Sequence, residues 1–441
     1  MKLHKNDKRR LSHGIMDECR PRITDAQIEL KLESFGAVLI VGPNGCGKTT
    51  TAKKYAKSSV DFRDEKHREG YLKVSEIQPS NLLKGDKPRL FEEWQDAPKI
   101  WGTVRKSVDE ERTNGLYILT GTPSNNVNTP HTGTSRISTL EMYPMSLFES
   151  GESDGSVSLE KLFKDGKYDG CESKLDIDGL IFAICRGGWP YSLSCRTEKS
   201  KLEVAKDLFR QACQADLSSI DGVHRDPKTA ESVLRSYSRS ICSLTDSRTI
   251  LNDMNSECKI SRPTLNSYLY ALQNLRIIEE VNAWCPRIRS SSAIRSKPMR
   301  NLVDPSLAVA ALNLKPESFD TDFRMLRFLF KSLCIRDLKV YSSKVDGELS
   351  YYHDRYGLKA DCVLKVRNDH YALINFELGS NGIDNAAKHL LKIEELIKEH
   401  NKEEKQVPLR LPDLKIIITG TKYGYRRDDG VLVIPIGCLR D

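Results

Sequence analysis

Apolar residues in the first 150 positions fall in short runs separated by polar, helix-compatible stretches. Ala37-Val38-Leu39-Ile40-Val41 is continuously apolar, the pattern of a strand buried on both faces of a parallel sheet. A glycine-rich segment follows it, and Thr49 to Lys57 then reads as a helix containing Ala52, Tyr55 and Ala56. Tyr71 to Val74, Arg89 to Glu92 and Leu116 to Thr120 read as further strands. Between the last two, Ile100, Trp101, Val104 and Val108 recur at helical spacing. This strand–helix alternation predicts an open α/β domain ending near Ser150.

Glu149 to Asp169, rich in Gly, Ser and acids, marks a boundary or a flexible connection. Helices follow, clearest over Val204 to Ala215 and Thr229 to Leu244. A further helix runs from Pro263 to Leu275, with Ser261 as its candidate cap, and a strand leads from Ile277 to Val281. Helices followed by a strand in this order suggest a winged-helix domain. From about Leu302 the pattern is mixed α/β: helices over Phe323 to Leu333 and Asn385 to Glu399, and strands over Lys359 to Val366, Tyr371 to Phe376, Leu414 to Thr419 and Val431 to Ile436. The expected division is 1–150, 151–300 and 301–441.

Composition narrows the class. Apolar residues at 39% and charged residues at 29% fit a folded globular chain of 441 residues, long enough for several cores. No apolar run approaches the roughly 20 residues that cross a bilayer. The basic N-terminus has no apolar core behind it, so it does not read as a signal peptide, and a cytoplasmic location is expected. The 12 cysteines are scattered without a CxxC pair, which argues for reduced thiols and against a cysteine-rich zinc site. A formal charge of +8 is spread over a large molecule and points only weakly to a polyanionic partner.

The glycine-rich segment carries the chemistry. Gly42-Pro43-Asn44-Gly45-Cys46-Gly47-Lys48-Thr49 is a full GxxxxGK[ST] motif between a predicted strand and a predicted helix. Successive backbone N–H groups of such a loop converge on phosphates, Lys48 neutralises them, and Thr49 offers an oxygen to Mg²⁺. Thr50 is expected to give at most a supporting phosphate contact. The cofactors implied are ATP and Mg²⁺. Hydrolysis also needs carboxylates at the end of a neighbouring strand, and Arg89-Leu90-Phe91-Glu92-Glu93-Trp94 supplies two. Glu92 is expected to support the metal and Glu93 to activate the attacking water; alternatively both merely open the next helix. A hydroxyl at Thr120 or Thr122 could sense the γ-phosphate, or that segment could be a plain strand-ending turn.

The chain resembles a prokaryotic family of AAA-type P-loop ATPases with a winged-helix middle segment and a C-terminal restriction-endonuclease-like domain of unassigned function. The resemblance rests on Phe35 to Ile40, Glu93-Trp94-Gln95, Val104-Arg105, Val108-Asp109, Leu119-Thr120-Gly121, His131-Thr132-Gly133, Arg136-Ile137, Pro144 to Leu147, Cys185-Arg186-Gly187-Gly188-Trp189-Pro190 and Val303 to Ser306. It implies Thr122 as the sensor and Arg136 as an arginine approaching the γ-phosphate, in cis or from a neighbouring copy. Glu92 stands where aspartate is usual. In the C-terminal domain, Asp361 matches a metal-binding carboxylate, but Asn375 and Glu377 replace the expected glutamate and lysine, and Lys331 replaces a helix glutamate. That pattern implies a nuclease fold without its chemistry.

Asn266, Ser267 and Tyr268 lie where a recognition helix would sit. The strip 287–300, with Arg287, Arg289, Arg295, Lys297 and Arg300 and no acid, could position the phosphates of duplex DNA, be a solvated connector, or pair with the acidic side of another domain. The reading that follows is an Mg-dependent ATPase whose nucleotide state switches attached domains on DNA, with self-association left open. The alternatives are a DNA-binding or defence-related module with slow or structural ATP use, and an ATP-gated nuclease.

Overall fold

The computed structural model describes residues 20–121, 136–214, 217, 220–254, 258–286, 294–403 and 408–441. In the N-terminal unit, α1 (Asp25–Ser34) precedes β1 (Ala37–Val41), followed by α2 (Lys48–Lys53), β2 (Ser58–Asp61), α3 (Arg68–Ile77), β3 (Arg89–Glu92), α4 (Lys99–Glu111), β4 (Tyr117–Thr120) and β5 (Ile137–Glu141). The five strands form one parallel sheet in the order β2-β3-β4-β1-β5. β1 is flanked on both sides and buried at every position, as its unbroken apolar run requires. β4 lies between β1 and β3, so Ile40, Thr120 and Glu92 stand side by side across three strands.

Sequence patterning misplaces some of this unit. Tyr71 to Val74 is not a strand but part of α3, where Tyr71, Leu72 and Val74 pack on the sheet core. The helix after the loop ends at Lys53, short of Lys57. The edge strands β2 and β5 each bury only one residue, Val60 and Leu140, and so carry no legible apolar pattern.

The segment expected to be a connection is ordered: α5 (Leu147–Ser150), β6 (Val157–Ser158), α6 (Leu159–Asp165) and β7 (Cys171–Glu172). A helical region continues with α7 (Ile177–Arg186), α8 (Pro190–Ser194), α9 (Glu198–Gln214), α10 (Pro227–Arg239), α11 (Ser247–Met254) and α12 (Arg262–Asn274). β8 (Ile278–Val281) and β9 (Met299–Leu302) pair antiparallel directly after α12. Then come α13 (Pro305–Ala311), α14 (Phe323–Tyr341), β10 (Glu348–His353), β11 (Lys359–Lys365), β12 (Tyr371–Glu377), α15 (Ile383–Glu403), β13 (Leu414–Thr419), β14 (Tyr423–Arg426), β15 (Leu432–Pro435) and β16 (Leu439–Arg440).

The second sheet is mixed, in the order β10-β11-β12-β13-β15-β14-β7. Its edge strand β7 comes from far upstream, and β6 pairs in parallel with β16. Residues 157–172 are therefore built into the C-terminal unit, on the far side of the boundary at 150. One continuous core joins the helices to a face of this sheet, and α15 covers the opposite face. The chain is thus an α/β P-loop unit followed by helical and mixed α/β units. No helix among the described residues is long and apolar enough to cross a membrane.

Candidate nucleotide site

The chain leaves β1 at Gly42, where a Cβ would lie 2.2 Å from the Met142 carbonyl oxygen. Gly45 and Gly47 hold φ of +80° and +100°, a region that favours glycine because it has no Cβ. The loop thus curls tightly enough for Lys48 to fold back over it. Its buried Nζ donates to the carbonyls of Gly42 at 2.8 Å and Pro43 at 3.0 Å. Lys48, Thr49 and Glu93 line one cavity of about 430 Å³, within the size range of ligand pockets. Asn44, Gly45, Gly47 and Thr50 belong to the same wall, while Cys46 turns into the core beneath it.

The two glutamates diverge. Glu92 ends β3, buried, with Lys53 Nζ 3.0 Å from its Oε1. Burial raises its pKa, and the Lys53 ion pair offsets only part of that. Glu93 follows at φ +54°, left-handed backbone that is rare for a side chain larger than asparagine. It accepts from Gln95 Nε2 at 2.7 Å and pairs with Arg63 at 3.0 Å. Thr120, in register with Glu92, has a buried hydroxyl without a hydrogen-bond partner among the described residues. The Thr49 hydroxyl on the cavity wall and the Glu92 carboxylate, which ends β3 outside the cavity lining, are oxygen donors of the hard type that suits Mg²⁺.

Sequence patterning missed the opposite wall. Arg20, Arg22, Met145, Pro190, Tyr191 and Leu193 complete the cavity. Arg22 donates to the Cys46 carbonyl at 2.9 Å, to Tyr143 O at 2.8 Å and to Glu149 Oε1 at 2.9 Å. It therefore ties the phosphate loop to the N-terminus of α5. Pro190 and Tyr191 arrive on the turn Gly187-Gly188-Trp189. A Cβ on Gly188 would lie 2.0 Å from Met145 O, so only glycine permits that approach.

This turn hangs on a buried ion triad. Gly188 N–H donates to Asp304 Oδ2 at 2.9 Å, and Trp189 Nε1 to Ser306 at 2.9 Å. Arg336, on α14, pairs with Asp304 at 2.9 Å and Asp337 at 2.6 Å. Asp337 in turn accepts the Leu147 N–H that opens α5, at 3.1 Å. Burial disfavours the Arg336 charge, but Asp337 and Asp304 outweigh it and hold its pKa up.

Arg136, expected at the site, is not assembled here. Arg136 lies at the start of β5, beside Ala37 at the far end of β1 from the phosphate loop. It bonds the carbonyls of Val108 and Asp109 and pairs with Asp109 at 3.5 Å. It does not approach the nucleotide loop of its own chain, because parallel strands set residues before a strand opposite those after it. Thr122 lies outside the described residues, as does His131.

Residues 34–150 match a family model described as an AAA domain. The N-terminal unit is thus similar to an AAA domain. Residues 177–318 and 327–439 match two models described as domains of unknown function, DUF8612 and DUF4143. No curated protein matches the chain. Among solved structures, a Walker-type ATPase of Pyrococcus abyssi is 16% identical, with a TM-score of 0.42, over 69% of this chain and 97% of that one. A STAND protein with a tetratricopeptide repeat sensor from Pyrococcus horikoshii is 17% identical, with a TM-score of 0.23, over 76% of this chain and 50% of that one. Drosophila ORC bound to DNA is 11% identical, with a TM-score of 0.23, over 66% and 96%. These overlays are too loose to define residue correspondences.

Outside the AAA domain, Lys331 Nζ lies 2.7 Å from Asp361 Oδ1, and the other Asp361 oxygen accepts the Phe376 N–H at 3.0 Å. The Asp361 backbone N–H donates to Asn375 Oδ1 at 2.9 Å, while the carboxylate itself is satisfied by the Lys331 ammonium and the Phe376 amide. Burial raises the Glu377 pKa, opposed by Lys331. No group of three His, Cys, Asp or Glu among the described residues could hold a metal. The described part of the basic strip is engaged within the chain. Lys297 pairs with Asp246 at 3.2 Å, and Arg300 is buried against the Tyr237 ring and bonds Thr245 O at 2.6 Å. Arg287 and Arg289 lie outside the described residues. On α12, Ser267 and Tyr268 face inward, bonding Arg225 and Asp226, and Asn266 faces solvent.

Substituting Arg336 by methionine leaves Asp304 and Asp337 buried without their cation. We expect a loss of about 3–5 kcal/mol in urea unfolding. A loss within about 0.5 kcal/mol, the usual range of surface substitutions, would show that the triad does not hold the fold.

Proposed function

We propose that the chain binds Mg·ATP in the AAA domain and hydrolyses it, using nucleotide state to switch the helical and C-terminal units on duplex DNA. The observation that supports this best is the convergence of Lys48, Thr49 and Glu93 on one cavity, with Glu92 one residue behind. The Lys48 ammonium exchanges its loop carbonyls for phosphate oxygens, and the loop N–H groups bind the same phosphates. Thr49 and Glu92 would hold the Mg²⁺, which would supply charge neutralisation to the phosphates. Glu93 takes a proton from the attacking water. Tyr191, Pro190 and Leu193 give the nucleoside an apolar wall.

The alternative of slow, switch-like turnover draws on one observation. Glu93 is engaged by Arg63 and Gln95, so it must leave those partners before it serves as a base. In the attached units, α10 to α12 with the β8–β9 pair have the order of a winged helix. The C-terminal unit, with Lys331 on Asp361, fits a nuclease-like fold that no longer cuts. Arg136 would act on a nucleotide only across self-associated copies.

Lys48→Ala should remove the phosphate-facing cation and weaken ATP binding sharply in a folded protein. Calorimetric titration reads this, and unchanged affinity would reject the pocket.

Glu93→Gln should keep ATP and Mg²⁺ binding but slow single-turnover hydrolysis by about 10²–10⁴-fold, as loss of a positioned base does. Glu92→Gln should instead raise the Mg²⁺ concentration needed for half-maximal rate. If excess Mg²⁺ restores Glu93→Gln fully, the assignment of Glu93 is wrong.

A further inference from the structure

The connector between the N-terminal unit and α7 is joined to the C-terminal unit by two short strand pairings. Cys171 faces Gly424 across β7 and β14, and Val157 faces Leu439 across β6 and β16. Two cysteines meet between these pairings. Cys171 is half-buried on β7, and Cys438, just before β16, is fully buried. A Cβ on Gly424 would lie 2.7 Å from Cys171 Sγ and would overlap the Tyr168 hydroxyl, so glycine leaves the room into which both side chains reach. A Cβ on Gly437 would overlap Ser173 Oγ, so the turn carrying Cys438 sits against the residues that follow Cys171. In this gap the two thiols share a hydrogen bond. The Tyr168 hydroxyl lies 3.2 Å from Cys171 Sγ and donates to Val433 O at 2.9 Å.

The pair is unequal. The hydrogen bond from the Cys438 thiol favours a Cys171 thiolate and, against burial, pulls Cys171 down to about 7, with Tyr168 helping and Asp154 opposing. The same bond, together with burial, pushes Cys438 up, so Cys438 keeps its proton. The thiolate is the attacking form in thiol–disulfide exchange. Elsewhere burial pushes Cys185 and Cys213 up to about 12. Cys242 and Cys334 also lie near each other, yet burial raises both, and they stay inert thiols.

We propose that Cys171 and Cys438 form a reversible modification site, at which a low-molecular-weight disulfide converts the two thiols into a disulfide bond. The Cys171 thiolate attacks one sulfur of the reagent, whose S–S bond breaks and releases a first thiolate. Cys438, buried away from the reagent, passes its proton to that thiolate and attacks the Cys171 sulfur. The Cys171–Cys438 bond forms and the second reagent thiolate leaves. Two protein thiols are thereby oxidised, and one external disulfide is reduced to two thiols. The bond fastens residues 157–172 covalently to the C-terminal unit, where the reduced chain holds them by two-residue pairings. Neither cysteine lines the nucleotide cavity, so the site is independent of the ATPase reading.

The test incubates the full chain with mixtures of reduced and oxidised glutathione, quenches with acid, alkylates, and digests without reductant for mass spectrometry. Oxidising mixtures should yield a Cys171–Cys438 peptide pair that dithiothreitol removes. Cys438→Ser should stop at glutathione on Cys171, and Cys171→Ser should leave Cys438 unmodified. Iodoacetamide labelling of Cys171 in the reduced wild type should reach half its maximal rate at about pH 7, and Cys438→Ala should move that midpoint upward because the donor is lost. Backbone amides of 157–172 should exchange more slowly in the cross-linked protein than in the reduced one. The proposal is overturned if no mixture gives the Cys171–Cys438 pair, or if glutathione persists on Cys171 of the wild type. Modification of Cys438 in Cys171→Ser, a labelling midpoint unmoved by Cys438→Ala, or exchange at 157–172 unchanged by the bond would overturn it equally.

Discussion

The salt bridge of Arg336 with Asp304 and Asp337 is the contact on which the nucleotide cavity depends. Its three side chains are at most 1% exposed, and they belong to the units that follow the AAA domain. Charges so deeply buried are costly to desolvate, and their attraction alone rarely makes up the difference. Here the carboxylates also accept backbone N–H groups, Asp304 from Gly188 and Asp337 from Leu147. The triad thereby fixes where the Trp189 turn and the start of α5 lie, and both border the phosphate loop. Met145 N–H donating to Gly188 O at 2.6 Å closes the same frame.

The cavity is therefore shared between units. The loop, Lys48 and Glu93 come from the AAA domain, and Pro190 and Tyr191 from the helical region. The guanidinium that positions the latter comes from α14. Arg22 works in the same way on the other side, tying the Cys46 carbonyl to Glu149. A shift of the phosphate loop on nucleotide binding would be felt at α5 and, through Asp337, at α14. This is the physical connection that a nucleotide-driven switch requires.

Many of the charges among the described residues are paired internally, which is why the overall sign of the chain says little. Lys331 satisfies Asp361, Lys297 satisfies Asp246, and Arg300 serves the Thr245 carbonyl. In sequence each is simply a basic residue. Only the partner that three-dimensional folding supplies distinguishes a structural cation from an exposed one.

Local patterns were enough for the central parallel strand, the phosphate loop, the helix from Arg262 and the strand Leu414–Thr419, because each is set by residues adjacent in the chain. Strong apolar runs, fixed glycine spacing and a serine cap need no distant partner to be recognised. The edge strands β2 and β5 escaped notice because each buries a single residue. Arg22, Gly188 and Asp304 could not be read as parts of one site, since they are separated by more than a hundred positions and act through contacts with backbone groups. Arg136 shows the converse: a motif arginine close to the P-loop strand in the sheet, yet at its wrong end. The sequence alone determined that this chain can hold a nucleotide's phosphates, because that cradle is made of consecutive residues. The tertiary structure decided what walls the cradle and what holds those walls, because buried charges must find partners wherever the fold brings them.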